Sequence, residues 1–252
     1  MNRLGRGRTA GIALCAAALT LSGAPAAIGQ EPAPPAPAAP PVVDLHRPGV
    51  RSYWAFVERR ARVSAEPRTG ARAVTRLKLQ TEDGTHELVL VVARTTDAQG
   101  RPWLRVRLPI RGRTTGWVPQ DALGELQPVS TWLRIDRRRF RATLVRNGRV
   151  VFRARVGVGQ PQWPTPRGEF YIRDRLAGYG QAGSFYGPVA FGTSARSPTL
   201  TDWPGGGLVG IHGTTLPQLI PGRISHGCVR LRNSDILRLA RLMPVGTPLT
   251  IS

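Results

Sequence analysis

Outside one stretch near its C-terminus, this chain has no apolar run with helical spacing; its hydrophobic residues alternate with polar ones in short, turn-bounded segments. That pattern commits a chain to strands, because successive side chains on a strand face opposite ways. Phe140, Ala142 and Leu144 alternate with Arg141, Thr143 and Val145. After Asn147-Gly148, Phe152, Ala154, Val156 and Val158 lie on one face, with Arg153 and Arg155 on the other. Asn-Gly suits the two positive φ angles of a type I′ turn, so a hairpin is predicted here. Leu133 and Ile135, alternating with Arg134 and Asp136, open this block. Further upstream, between about residues 50 and 125, Leu88, Leu90 and Val92 form one alternating set and Leu104, Val106 and Leu108 another. Asp97-Ala98-Gln99-Gly100 marks the turn between them. Trp103 opens one strand and Gly116-Trp117-Val118 another, and both tryptophans read as packing residues. Residues 176–207 show little periodicity and are expected to form a long loop, a length associated with function or disorder. The one helix is expected after Asn233 as its cap, with Asp235 in the first turn and Ile236, Leu239, Ala240 and Met243 along one face. Pro244 ends it, and Pro248 to Ile251 read as a last strand. No internal repeat is present. The fold class is therefore mostly β, with one or more short helices.

The N-terminus bears on location. Arg3, Arg6 and Arg8 precede an apolar stretch from Ala10 to Leu21, and Ala24-Pro25-Ala26 supplies a small-x-small cleavage site. A run of about a dozen apolar residues is short for a spanning helix, which needs ~20. Residues 1–29 are read as a secretory signal, leaving no membrane span once cleaved; an uncleaved anchor is the alternative. Bulky Leu14 before Cys15 argues against lipidation. Residues 30–44, with EPAPPAPAAPP at 31–41, form a Pro/Ala-rich linker that cannot bury a core. The chain carries 36 Lys and Arg against 15 Asp and Glu, for a formal net charge of +21. Removing three signal arginines lowers this to +18. Such a balance favours anionic partners, and anionic wall polymers are one class. The arginines are scattered and form no nucleic-acid motif, so no nucleic-acid partner is expected.

The chemistry concentrates in Val209-Gly210-Ile211-His212-Gly213-Thr214 and Ser225-His226-Gly227-Cys228-Val229-Arg230-Leu231. With Cys15 lost in the signal, Cys228 is the single remaining thiol, and two of the chain's four histidines stand near it in sequence. Three readings are open. His212, His226 and Cys228 could ligate zinc, although three ligands and no acidic cluster fall short of a structural site. Cys228 could be a buried structural thiol, although two histidines and an arginine make a poor apolar setting. Or Cys228 is a nucleophile: an adjacent imidazole and guanidinium lower a thiol pKa from ~8.5. In that reading Gly213 and Gly227 allow close backbone approach and present N–H groups to an oxyanion.

These motifs resemble a known family. His-Gly, a spacer of about a dozen residues and then Ser-His-Gly-Cys-Val-Arg is similar to the L,D-transpeptidase catalytic domain of the YkuD type. Thr165-Pro166-Arg167-Gly168-Glu169-Phe170 resembles the family's Thr-Pro-x-Gly-x-Phe segment, and Pro244-Val245-Gly246-Thr247-Pro248 its Gly-Thr-Pro ending. Arg230 stands where some members carry Asn. The resemblance covers residues 131–252, and residues 45–127 resemble a bacterial SH3-like domain ending in a Gly-Trp-Val strand. It implies a β-sandwich catalytic domain preceded by a small SH3-like β-barrel. It also implies an exported cysteine acyltransferase, acting in the cell wall without metal or cofactor. That enzyme would join peptidoglycan stem peptides, a tetrapeptide donor and a stem-peptide amine acceptor, into 3→3 cross-links through a thioester with release of D-alanine. Cys228 would be the nucleophile and His212 the general base and acid, its imidazole oriented by the Gly213 carbonyl. His226, Gly227, Arg230 and Ser225 would support the site, Arg230 by holding the loop or a substrate carboxylate. Tyr186, Trp203 and Gly205-Gly206-Gly207 could form a covering lid. L,D-carboxypeptidase activity on the same peptides, or non-catalytic wall binding, are the alternatives.

Overall fold

The computed structural model describes residues 40–112, 114–177, 185–200 and 207–252. The signal assigned to 1–29 and most of the Pro/Ala linker lie outside the described residues. Strands β1 (Val43–Asp44), β2 (Ser52–Phe56), β3 (Arg62–Ser64), β4 (Ala73–Arg76), β5 (Leu88–Thr96), β6 (Pro102–Arg107), β7 (Thr115–Pro119) and β8 (Gln127–Val129) make a first, eight-stranded sheet. Its order is β4-β3-β7-β6-β5-β2-β8, with β1 also paired to β5. β1 falls inside the segment assigned to the linker: Val43 and Asp44 pair with Arg94 and Ala93. Leu104, Val106 and Leu108 enter the core of this sheet with Val63, Val89, Val91 and Val118. Trp103 and Trp117 are buried together against Ala93, and the Trp103 indole N–H donates to Asp97 at 3.1 Å. They pack, as their size suggested.

β5 keeps the predicted set of Leu88, Leu90 and Val92 together on one face, but its other face is buried as well. Val89 and Val91 face the first core, while Leu88 and Leu90 join a separate cluster with Tyr171, Trp54, Phe56 and Val245. A strand covered on both faces reads as a continuous apolar run, so the burial of Val89 and Val91 opposite that set is not visible in the alternation.

The second sheet has ten strands: β9 (Thr131–Asp136), β10 (Arg141–Arg146), β11 (Arg149–Arg155), β12 (Gly157–Gly159), β13 (Gly168–Ala177), β14 (Val189–Arg196), β15 (Leu208–His212), β16 (Gly222–Ser225), β17 (Val229–Arg230) and β18 (Pro248–Ile251). Its order is β11-β10-β9-β18-β13-β14-β15-β17-β12-β16. β13 pairs with β18 through Gly168–Tyr171 and with β14 from Ile172 onward, so it joins the two halves of a curled sheet. Both halves contribute to one core, including Leu133, Leu144, Phe152, Ile172, Phe191, Ile211 and Leu249. The expected hairpin is present, with Asn147 at φ 49° and Gly148 at φ 74°.

Two expectations are corrected. The segment 176–207 is not one loop, because β14 runs through it. Val189-Ala190-Phe191 and Thr193-Ser194-Ala195 are buried on both sides, which erases the polar alternation of a half-exposed strand. Helix α1 (Asn233–Leu242) buries Ile236, Leu239 and Ala240, but Asn233 does not cap it. The residue preceding the helix is Arg232, and the Asn233 side-chain carbonyl instead accepts the Thr214 N–H at 2.9 Å.

The two sheets are tied by polar groups as well as by the Leu88–Tyr171 cluster. Arg173 on β13 donates from Nε (3.0 Å) and Nη2 to Glu87, and from Nη1 to Glu82 at 2.9 Å. Arg196 on β14 reaches Glu82 at 2.6 Å. The Tyr171 hydroxyl donates to the Leu88 carbonyl at 3.2 Å. Gly246 (φ 74°) lies so close to Trp54 that a Cβ there would stand 2.1 Å from the indole. Among the described residues no helix is long and apolar enough to cross a membrane.

Candidate active site

His212 is the last residue of β15, held between β14, where it pairs with Ala190, and β17, where it pairs with Arg230. The chain then turns at Gly213, where a Cβ would stand 2.3 Å from Asn233 Oδ1 and 3.0 Å from Gly187 Cα. Only glycine fits this crossing. It lets the Gly213 carbonyl fold back onto the His212 ring, 2.7 Å from Nδ1. With Nδ1 donating to that carbonyl, Nε2 is the nitrogen left to exchange a proton.

Cys228 sits in the turn between β16 and β17. Ser225 closes this turn: its hydroxyl donates to the Cys228 carbonyl at 2.5 Å and accepts the Gly227 N–H at 3.1 Å. Gly227 takes φ 118°, a region that side chains rarely adopt. Thr165, buried at the start of the Thr-Pro segment, fastens the turn from behind. Its hydroxyl donates to the Gly227 carbonyl and accepts the Gly159 N–H, both at 2.8 Å. Sequence reasoning saw this segment only as part of a resemblance; the hydroxyl bridge gives its Thr a physical task.

The half-buried Cys228 thiol accepts the Gly210 N–H at 3.4 Å. Gly210 was quoted in the motif without a role; its only sequence signal is a glycine inside a strand next to the candidate histidine. Phe185, Tyr186, Leu208, His212, His226, Cys228 and Arg230 line a common cavity of about 150 Å³. Tyr186 meets the His212 ring edge to face at 4.9 Å. His226 is exposed and packs on Trp163, ring centres 4.2 Å apart. The Arg230 guanidinium lies 4.4 Å from the centre of the Phe185 ring, and its buried Nε has no hydrogen-bond partner among the described residues. Of the lid residues, Tyr186 and Gly207 line the cavity; Trp203, Gly205 and Gly206 lie outside the described residues. No group of three His, Cys, Asp or Glu is gathered to hold a metal among the described residues.

The electrostatics differ from the sequence expectation. Burial pushes the Cys228 thiol above its ordinary pKa, against the opposing pull of the Gly210 N–H and the Arg230 charge. Burial likewise holds His212 down at about 4, with the Gly213 carbonyl opposing and Arg230 adding to the fall. A sequence shows the neighbours of a thiol but not the loss of water around it, and here the loss of water dominates. Both shifts favour the neutral forms, imidazole and thiol, over an imidazolium–thiolate pair.

Residues 130–251 match the family model of the L,D-transpeptidase catalytic domain, YkuD. Over 110 residues the chain is 37% identical to the Bacillus subtilis protein YkuD, covering 44% of this chain and 58% of that protein. Over 42 residues it is 57% identical to Escherichia coli YbiS, covering 17% of this chain and 14% of that one. Both relatives carry L,D-transpeptidase names. The chain spans 58% and 50% of the length of its YkuD relatives from two Bacillus species. Among solved structures, it is similar to an L,D-transpeptidase from Mycobacterium smegmatis with a TM-score of 0.41 and 16% identity, over 66% of this chain and 91% of that one.

Proposed function

We propose that this chain, whose residues 130–251 match the family model of the L,D-transpeptidase catalytic domain, is a peptidoglycan L,D-transpeptidase that works through a thioester on Cys228. The observation that carries the reading is the Gly213 carbonyl 2.7 Å from His212 Nδ1, which leaves Nε2 for proton exchange in the cavity that Cys228 lines.

In the proposed reaction the thiol attacks the carbonyl of the third stem-peptide residue while His212 takes its proton, since both partners start neutral. The bond to the terminal D-alanine breaks, and His212 returns the proton to the departing amine. A stem-peptide amine then attacks the thioester and gives up a proton through His212. The Cys228 thiol is restored and a 3→3 cross-link is closed. One peptide bond replaces another, so no nucleotide is consumed. Arg230, a buried cation whose Nε has no partner among the described residues, is suited to hold the donor's terminal carboxylate. His226 and Trp163, packed on each other beside the cavity, would shape the acyl site. Such a substrate supports an extracytoplasmic place of action, and the basic chain surface suits anionic wall polymers. The first sheet, read as SH3-like, would meet the wall.

Mass spectrometry of the protein with disaccharide-tetrapeptide, run beside Cys228→Ala, tests the reading. Loss of D-alanine, a thioester adduct and a cross-linked dimer, all absent from the variant, are expected. Tripeptide without dimer would make the chain an L,D-carboxypeptidase. A folded protein with neither adduct nor turnover would refute the acyl-transfer reading.

A further inference from the structure

One wall of the cavity that holds Cys228 is made by Ser197, Leu200, Gly207 and Leu208, at and beyond the end of β14. Ser197 N–H donates to the Gly207 carbonyl at 2.7 Å, and the Ser197 hydroxyl accepts the N–H groups of Thr199 and Leu200 at 3.4 and 3.1 Å. A further brace comes from the first sheet. Arg111, between β6 and β7, donates from Nε and Nη2 to the Ser197 carbonyl at 3.0 and 2.8 Å, and Nη2 also reaches the Leu200 carbonyl at 3.3 Å. Two residues before it, the Pro109 carbonyl accepts Nε of Arg196 at 2.9 Å. The packing leaves no slack. At Gly207 (φ 78°) a Cβ would stand 2.0 Å from the Leu200 carbonyl oxygen and 3.1 Å from Arg111 Nη2. A planar guanidinium with five donors in fixed directions can hold two carbonyls at a set spacing, which a single ammonium cannot do.

We propose that Arg111 is a positioning residue for the donor pocket: through the Ser197 and Leu200 carbonyls, the first sheet sets the wall that a stem peptide meets beside Cys228. This builds on the acyl-transfer reading above, and it gives the first sheet a part in substrate fit besides any contact with the wall. Arg111 touches neither Cys228 nor His212, so its removal should change what fits in the pocket and not the reactivity of the thiol. It is also solvent-exposed, so its loss strands no buried charge.

The test uses the full chain with Arg111→Met, which keeps the aliphatic stem and deletes the donors, and Arg111→Lys, which restores one point donor. Alkylation of Cys228 by small iodoacetamide and by bulky N-benzylmaleimide reads the wall without any peptide. In Arg111→Met the bulky-to-small rate ratio should rise by about threefold or more, with the iodoacetamide rate within about twofold of the parent and Arg111→Lys in between. With disaccharide-tetrapeptide, KM should rise about tenfold while kcat stays within about twofold. An unchanged rate ratio would overturn the proposal, whatever the peptide assay gives. So would a parallel change of both alkylation rates with a lowered melting temperature, because that reports general loosening. If the ratio moves but even the parent chain leaves the peptide untouched, the stem-peptide reading fails and the brace on the wall stands.

Discussion

Arg173→Met should be among the most damaging single changes in the described chain. Arg173 is 3% exposed and Glu87 is 5% exposed, and the guanidinium meets that carboxylate through two nitrogens. Removing the cation leaves Glu87 buried without its counter-charge. Glu82 is less affected, because Arg196 still holds it at 2.6 Å. One-sided loss of a buried pair costs about 3–5 kcal/mol, whereas replacing both partners by apolar side chains of similar volume is often neutral or better. Arg173→Met should therefore lose about 3–5 kcal/mol, and adding Glu87→Met should recover most of it. In a folded unit of this size each kcal/mol moves the melting temperature by roughly 2–4 °C, so the single change should lower it by roughly 6–20 °C. Urea unfolding at pH 7, followed by tryptophan fluorescence and circular dichroism together, measures both variants. A loss below about 1 kcal/mol for Arg173→Met, or a double variant no better than the single, would refute the argument that an uncompensated buried charge is what hurts.

Three further outcomes are expected. Because burial holds His212 at about 4, the proposed base is neutral above that pH, so kcat/KM should fall on the acid side near pH 4 and not near the ordinary imidazole value. Alkylation of Cys228 should correspondingly keep climbing beyond the ordinary thiol range of ~8.5, and a plateau already reached at pH 6 would reveal a preformed ion pair instead. Gly70→Ala and Gly246→Ala share a left-handed backbone, φ 78° and 74°, which costs a side chain roughly 1–2 kcal/mol. Gly70 has open space around it while Gly246 abuts Trp54, so Gly246→Ala should lose about 1–3 kcal/mol more in thermal melts. Equal losses would mean that the indole yields freely.

What could be read from the sequence was local in origin. The Asn147-Gly148 hairpin depends on two residues whose φ angles no neighbour has to explain, and the residues of the proposed site stand in two short segments around His212 and Cys228 that line one cavity. The helix face of Ile236, Leu239 and Ala240 was legible because it is covered on one side only. Features set by distant partners were not. Thr165 finds its acceptor at Gly227, 62 positions away. Asn233 has the residue type of a helix cap, but Thr214 takes its carbonyl. β14 is buried on both faces, so the polar alternation of a half-exposed strand is missing from it; in β5 the set of Leu88, Leu90 and Val92 was legible, but not the burial of the opposite face. The direction of the Cys228 shift depends on excluded water, which no spacing records.

The double burial of β5 bears on how such a chain can be inherited and reassembled. Val89 and Val91 belong to one core while Leu88 and Leu90 press on Tyr171, so neighbouring residues of one strand answer to different sheets. A gene fusion that exchanged the first sheet for another module would have to supply a matching apolar row, a partner for Arg173 and a seat for Gly246 at once. Cutting near residue 130 would uncover Tyr171 and Val245, leaving a sticky patch on the liberated half. The two sheets are thus a single unit for recombination, although a sequence comparison draws a border between them.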